Sequence, residues 1–163
     1  DLVAPDWAAD VVWVDSLLTN PDRTHRNPNI LVWRNRPWLI DHGAAVYVHH
    51  NWSRVDRAKM RTPFQPIGDH VLLGLAASVD DADVRMTEAL EDGLLDNVVR
   101  TLPDALLTDP MAAGTDSDPD AERERYRSYL EARLEPPRAW VAEAERARVA
   151  LRTSPPVRRE ARR

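Results

Sequence analysis

Residues 20–43 read NPDRTHRNPNILVWRNRPWLIDHG, and the fold is read outward from them. The first ten, Asn20 to Asn29, are polar and carry two prolines and three asparagines, the composition of a loop shaped by Pro and Asn backbone chemistry. Two short apolar runs follow, Ile30–Trp33 and Trp38–Asp41, on either side of the polar turn Arg34–Pro37, and this pattern predicts a β-hairpin. His42-Gly43 breaks the second strand. Upstream, Pro5 and Asp6 are helix-start signals, and Trp7, Val11, Val14 and Leu18 recur at helical spacing, so a helix is predicted over 5–19, stopped by Asn20-Pro21. Downstream, Ala44–Val48 reads as a further strand or an irregular segment, and 49–69 as a long surface loop interrupted by Pro63 and Pro66. Helical spacing then predicts helices over 69–78, 83–99, 120–134 and from Arg138 to about Arg152, with a loop at 108–119 and Pro136-Pro137 between the last two helices. The expected fold class is mainly α with a small β-hairpin, an α+β arrangement.

The chain has 163 residues, enough for one domain with its own core. Residues 1–152 read as that unit. Residues 153–163, with Arg158, Arg159, Arg162 and Arg163 against Glu160, read as a solvated, disordered basic tail. There is no cysteine, which excludes disulfides, thiolate zinc sites and thiol nucleophiles. No apolar run approaches the roughly 20 residues of a membrane span, and no signal segment opens the chain, so a cytoplasmic protein without membrane partners is expected. A net charge of −5 disfavours wholesale binding of nucleic acid. Of 22 basic residues only Lys59 is a lysine, a single candidate for any mechanism that needs one. The chain opens on Asp1 and not on methionine, as a processed or trimmed polypeptide would. Neither GxGxxG nor GxxxxGK[ST] is present, so a glycine-rich phosphate loop is excluded.

The same 24 residues carry the candidate chemistry. Phosphoryl transfer needs a carboxylate to orient the acceptor hydroxyl, and an amide with a second carboxylate to hold Mg²⁺ on nucleotide phosphates. Asp22, the asparagines Asn27 and Asn29, a hairpin, and Asp41 occur in that order. Asp22 to Asn27 is the five-residue step of the kinase D-x-x-x-x-N pattern, and Asp41-His42-Gly43 stands where D-F-G would.

NPDRTHRNPNILVW followed by PWLIDHGAAVYVHHNW resembles the bacterial HipA-like kinase domain, a distant relative of protein kinases and phosphatidylinositol kinases. The family shows a D-R-x-x-x-N-P-N stretch before a hydrophobic strand, then L-I-D-H-G-A and an H-H-x-W ending. The likeness extends through DHVLL at 69–73 and the helices ending in PRAWVAEAERAR, roughly residues 5–150, with the specific part at 20–52. It implies an ATP-dependent phosphotransferase with Mg²⁺, a nucleotide and a hydroxyl acceptor as partners. Asp22 would be the catalytic aspartate, Arg23 its electrostatic support, and Asp41 a Mg²⁺ ligand. The amide ligand is Asn29, directly before the strand, or Asn27, which has the five-residue count. His42 replaces the D-F-G phenylalanine, which puts any switch built on that aromatic in doubt. Such a fold also has an N-terminal lobe with a phosphate-covering loop and a lysine, and Lys59 falls on the wrong side of Asp41 for that role. The chain is therefore expected to correspond to a C-terminal lobe, as a fragment of a longer protein or a degenerate stand-alone remnant.

Two other function classes compete. One is a non-catalytic interaction or regulatory module derived from such a lobe, which the missing N-terminal lobe favours. The other is a metal-dependent hydrolase using His25, His42, His49 and His50. No HExxH or HxH spacing supports it, and adjacent histidines on a strand would point to opposite sides. A serine hydrolase lacks its GxSxG context. The six tryptophans are read as core by default, and a lobe deprived of its partner should expose an apolar patch near the hairpin, including Trp33 or Val46.

Overall fold

The computed structural model describes residues 2–90, 93–108 and 118–153. The architecture is mainly helical with one two-stranded antiparallel hairpin, and no helix among these residues is long and apolar enough to cross a membrane. The basic tail from 154 onward and most of the predicted 108–119 loop lie outside the described residues.

Helix α1, Pro5–Leu17, is the centre of the molecule. Pro5 at its first turn supplies a fixed φ where no N–H is needed. Ala8, Ala9, Val11, Val12, Trp13, Asp15, Ser16 and Leu17 are all buried, so α1 is enclosed on nearly every side and not on one stripe. It packs against α3 (Val79–Ala89), α6 (Pro119–Leu134) and α7 (Ala139–Thr153). Trp13 meets Trp140 of α7 edge to face at 5.3 Å, and its Nε1 donates to Asp83 of α3 at 2.7 Å. Arg138 forks onto the same carboxylate, so α1, α3 and the start of α7 are joined by one partly buried ion pair. Ser78 caps α3 by accepting the Asp81 N–H, and Glu145 of α7 accepts the Val79 N–H.

The C-terminus of α1 sets up the site. Thr19 is left-handed at φ +49°, its N–H donates to the Ser16 carbonyl, and the Asn20 N–H donates to the Asp15 carbonyl at 2.8 Å. This paired ending turns the chain back toward the helix it leaves. Arg133 of α6 takes the Leu17 carbonyl and adds a second donor to the Ser16 carbonyl, at 2.8 Å each.

The loop from Asn20 leads to β1 (Ile30–Trp33) and β2 (Arg36–Leu39), paired Ile30 with Leu39, Leu31 with Trp38, Val32 with Pro37 and Trp33 with Arg36. The turn is Arg34-Asn35 alone, both at positive φ (+51° and +57°), the two-residue geometry whose twist matches a hairpin. The second strand therefore begins two residues earlier than the composition of Arg34–Pro37 predicted; Pro37 is tolerated because its strand has an open edge.

Of the two expectations for Ala44–Val48 the irregular one holds, turns running into a 3-10 segment, and three other segments differ from expectation. The 49–69 stretch is not a plain loop: two 3-10 segments, Tyr47–Arg54 and Gln65–Asp69, flank the one-turn helix α2 (Arg57–Met60), capped by Asp56 and anchored by buried Phe64 and Ile67. Residues 70–78 form turns instead of a helix, because the Val71 N–H is drawn to the Arg23 carbonyl and the Leu72 N–H to the His70 ring, while Leu72, Leu73 and Ala76 still enter the core. The predicted 83–99 helix is two: α3, and α4 at Leu94–Arg100, whose N-cap Gly93 sits at φ +85°. With the short α5 (Asp104–Leu107), α4 rests on α6, tied by Arg123 to Asp104 and to the Leu102 carbonyl.

Candidate functional site

Asp22, Asn27 and Asn29 meet at one carboxylate. Asp22 Oδ2 accepts from Asn27 Nδ2 at 2.9 Å and from Asn29 Nδ2 at 3.0 Å. The Asn29 amide nitrogen also lies 3.4 Å from the main-chain oxygen of Asp41, so the Asn29 side chain bridges the loop carboxylate and the main chain at the hairpin exit. Both hold left-handed backbone, Asn29 at φ +49° and Asp41 at φ +51°, which Asn and Asp tolerate better than other non-glycine residues. The Ile40 N–H donates to the Asn29 carbonyl at 3.0 Å, extending the ladder by one rung and fixing the distance between the two ends. Asp41 is exposed, and its Oδ1 reaches back toward the Gly43 N–H at 3.4 Å. Asn29 is buried and Asp22 half-buried. Neither asparagine amide is bonded to the Asp41 carboxylate; both nitrogens are spent on Asp22, which leaves Asn29 Oδ1 as the oxygen a hard cation would take.

Arg23 is fully buried. Its Nε donates to Asp15 Oδ2 at 2.6 Å and its Nη1 to the Asn29 carbonyl at 2.5 Å. Asp15 also accepts from Asn20 Nδ2 at 2.9 Å on Oδ1 and from His70 Nε2 at 2.9 Å on Oδ2. The Leu72 N–H donates to His70 Nδ1, so the ring hydrogen is on Nε2, facing Asp15. Burial pushes the Asp15 carboxyl up, but the hydrogen bonds from His70, Arg23 and Asn20 and the Arg23 charge outweigh it, and its pKa lies below the usual aspartate value. Because the folded value is the lower one, the ionised carboxylate stabilises the fold fully above the unfolded value near 3.9 and loses that contribution as pH falls through the folded value. The unfolding free-energy difference between wild type and Asp15→Asn should therefore be constant from pH 7 down to about pH 5 and shrink at lower pH. Urea titrations at each pH check this, and a difference that grows on acidification would contradict the network.

Sequence reasoning named Asp22, Arg23, Asn27, Asn29 and Asp41, which the structure brings together, and did not name Asp15, Asn20 and His70, which are bonded to them or to one another. Asp15 had one visible signal, a carboxylate inside the apolar run VVWVDSL.

The hairpin's two faces differ. Ile30 and Leu39 turn inward against the core. Leu31, Trp33 and Trp38 share the outer face, Ile40 follows, and these four are 44–56% exposed. Arg34 lies over the Trp33 ring. Trp33 and Trp38 are therefore not core residues, whereas Val46, expected on an exposed patch, is buried, its N–H held by the Leu18 carbonyl. A cavity of about 450 Å³, lined among the described residues by Thr24, His25, Arg26 and Asp69, adjoins the loop that carries Asp22.

His49 and His50 do not point to opposite sides. On their 3-10 segment the rings lie 3.9 Å apart, tilted at 46°, beside Tyr47 and Tyr126, and His49 Nδ1 bonds the Val46 carbonyl. Burial, then the neighbouring His50, holds His49 below its usual value. Trp52 packs edge-on to Tyr126 and donates to Glu122 at 3.0 Å, which docks this segment on α6. Among the described residues no group of three or more His, Asp or Glu is placed to hold a metal ion.

No family model, curated protein or solved structure matches the chain.

Proposed function

We propose that this chain is the catalytic lobe of an ATP-dependent, HipA-like phosphotransferase that passes a phosphoryl group to a hydroxyl acceptor. The observation that supports it most is the Asn29 side chain, set between the Asp22 carboxylate and the Asp41 main chain by the hairpin ends. Two amide donors fix Asp22 Oδ2, leaving Oδ1 to accept the acceptor's hydroxyl and draw off its proton. The cavity bounded by Thr24, His25, Arg26 and Asp69 gives the acceptor a place beside that loop. Asn29 Oδ1 and the exposed Asp41 carboxylate are hard oxygen donors of the kind Mg²⁺ takes, and two such ligands suit an ion that arrives on nucleotide phosphates better than one held by protein alone. Mg²⁺, when bound, neutralises charge on the phosphates. Arg23 keeps the Asn29 carbonyl in place and touches neither reactant.

The test is a titration of the chain with ATP in Mg²⁺ and in EDTA, followed by tryptophan fluorescence and by backbone NMR at Asn29, Asp41 and Gly43. Binding that needs Mg²⁺ and moves those three resonances is expected. Binding that ignores Mg²⁺, or none, would overturn the reading.

A second reading, a non-catalytic interaction module, draws on the outward Leu31, Trp33, Trp38 and Ile40 face, since an isolated hairpin with such a face is normally covered. On that ground the purified chain should self-associate in sedimentation velocity, and the double change Trp33→Ser, Trp38→Ser should return it to a monomer. A wild-type chain that stays monomeric at high concentration would remove this support.

A further inference from the structure

We infer that Asp15 is a positioning residue for the Asp22–Asn29 pair, an inference that rests on the phosphotransferase reading of that pair. Asp15 belongs to the central helix and reaches both ends of the loop at once. Through Oδ1 it holds Asn20, whose Oδ1 accepts the Asp22 N–H at 3.2 Å. Through Oδ2 it holds Arg23, whose Nη1 grips the Asn29 carbonyl, and Asn29 in turn donates to Asp22 Oδ2. The circuit closes: helix carboxylate, Asn20, Asp22, Asn29, Arg23, and back. His70 Nε2 fills the remaining direction on Oδ2 and brings in the 70–72 segment, whose Val71 N–H takes the Arg23 carbonyl.

Two features separate this from a network that merely holds the core together. Both arms end on the backbone of candidate site residues, one on the Asp22 N–H and one on the carbonyl of left-handed Asn29, and not on the apolar core. Second, Arg23 Nη2 is buried with no hydrogen-bond partner. An unmet buried donor is costly, and such costs gather where geometry at a site outweighs stability. Arg23 Nε and Nη1 are engaged by Asp15 and the Asn29 carbonyl, and Nη2 is the group left over.

The experiment compares Asp15→Asn with Asp83→Asn, the latter removing the other partly buried carboxylate under α1, bonded to Trp13 and Arg138 and remote in the network from Asp22. The readout is the side-chain amide NMR signals of Asn27 and Asn29 in the nucleotide-free chain, because both amides sit on the Asp22 carboxylate. Asp15→Asn should shift both signals while Asp83→Asn leaves them in place, and Asn20→Ala, which cuts one arm only, should shift them less. Asn20→Ala also keeps the test alive if Asp15→Asn does not fold. With the chain joined to a nucleotide-covering lobe, Mg²⁺-dependent phosphoryl transfer should fall on the order of a hundredfold in Asp15→Asn, the cost that misplacing a catalytic group by about 1 Å can reach. Asn27 and Asn29 signals that stay fixed in Asp15→Asn, or move equally in Asp83→Asn, would overturn the positioning role. Signals that shift as expected in a chain that binds no Mg²⁺·ATP would leave the positioning intact and overturn the phosphotransferase reading instead.

Discussion

Asp41→Ala should abolish Mg²⁺-linked nucleotide binding, whereas Asp22→Ala should keep nucleotide bound and slow phosphoryl transfer by about 10²- to 10⁴-fold. The contrast follows from where the two carboxylates stand. Asp41 is exposed at the hairpin exit beside Asn29, and on the phosphotransferase reading its carboxylate would meet an ion carried on phosphates. Asp22 is held by two amides on the loop whose residues Thr24, His25 and Arg26 line the cavity, where the phosphotransferase reading puts the acceptor. A group that acts on the acceptor hydroxyl contributes in the transition state more than in the ground state, so its loss falls on kcat and spares KM for nucleotide. A group that holds the ion contributes to both, and its loss falls on nucleotide affinity as well. Transfer is measured with this lobe joined to a nucleotide-covering lobe; binding is measured on the chain itself. His49→Ala and His50→Ala should leave transfer largely intact, because their rings pack against Tyr47 and Tyr126. If the histidine changes stop the reaction and Asp22→Ala does not, the assignment of roles fails and a histidine-based mechanism gains.

What could be read from the sequence was local. The hairpin, the loop before it and the order of Asp22, Asn27, Asn29 and Asp41 depend on contacts within about 20 residues, and turn chemistry marks them directly. The second layer was hidden by distance. His70 lies 55 positions from Asp15, and nothing in its neighbours signals that its ring faces a buried carboxylate. Position 15 itself falls where an amphipathic helix would show a polar residue to water, and only the enclosure of α1 on nearly every side makes it interior. The 49–69 stretch reads as a loop because Phe64 and Ile67, its anchors, are single apolar residues among polar ones with no periodicity to report them. The tryptophans illustrate the opposite failure. In a strand as apolar as Ile30–Trp33 both faces look like core, and only the pairing register shows that Leu31, Trp33 and Trp38 share the outward side.

Arg133→Ala should cost about 2–5 kcal/mol of folding stability, the scale of truncating a large, fully buried side chain to alanine. Arg133 is an enclosed cation with no carboxylate partner among the described residues. Its Nε and Nη2 donate to Leu17 O and Ser16 O, and its Nη1 to Met60 O, all at 2.8 Å. The charge is tolerated because these carbonyls belong largely to the C-terminal end of α1, where the helix dipole is negative, and because the guanidinium lies near the Tyr129 and Trp140 rings at 5.8 and 5.4 Å. Burial lowers its pKa, yet an arginine stays protonated at any pH where the protein folds. Truncation strips three buried carbonyls of a donor and opens a void between α1, α6 and α7, in a domain whose total stability is of order 5–15 kcal/mol. Arg133→Met fills the void but returns none of the three donated bonds, so it should recover only part of the loss; Arg133→Lys restores a charge but not the three-way fork and should fall between them and wild type. Urea unfolding followed by far-UV circular dichroism measures all three. A loss below about 1 kcal/mol for the alanine variant would mean that water or a rearranged helix end satisfies those carbonyls, and that the exit of α1 toward Asn20 and Asp22 is not fixed by this residue.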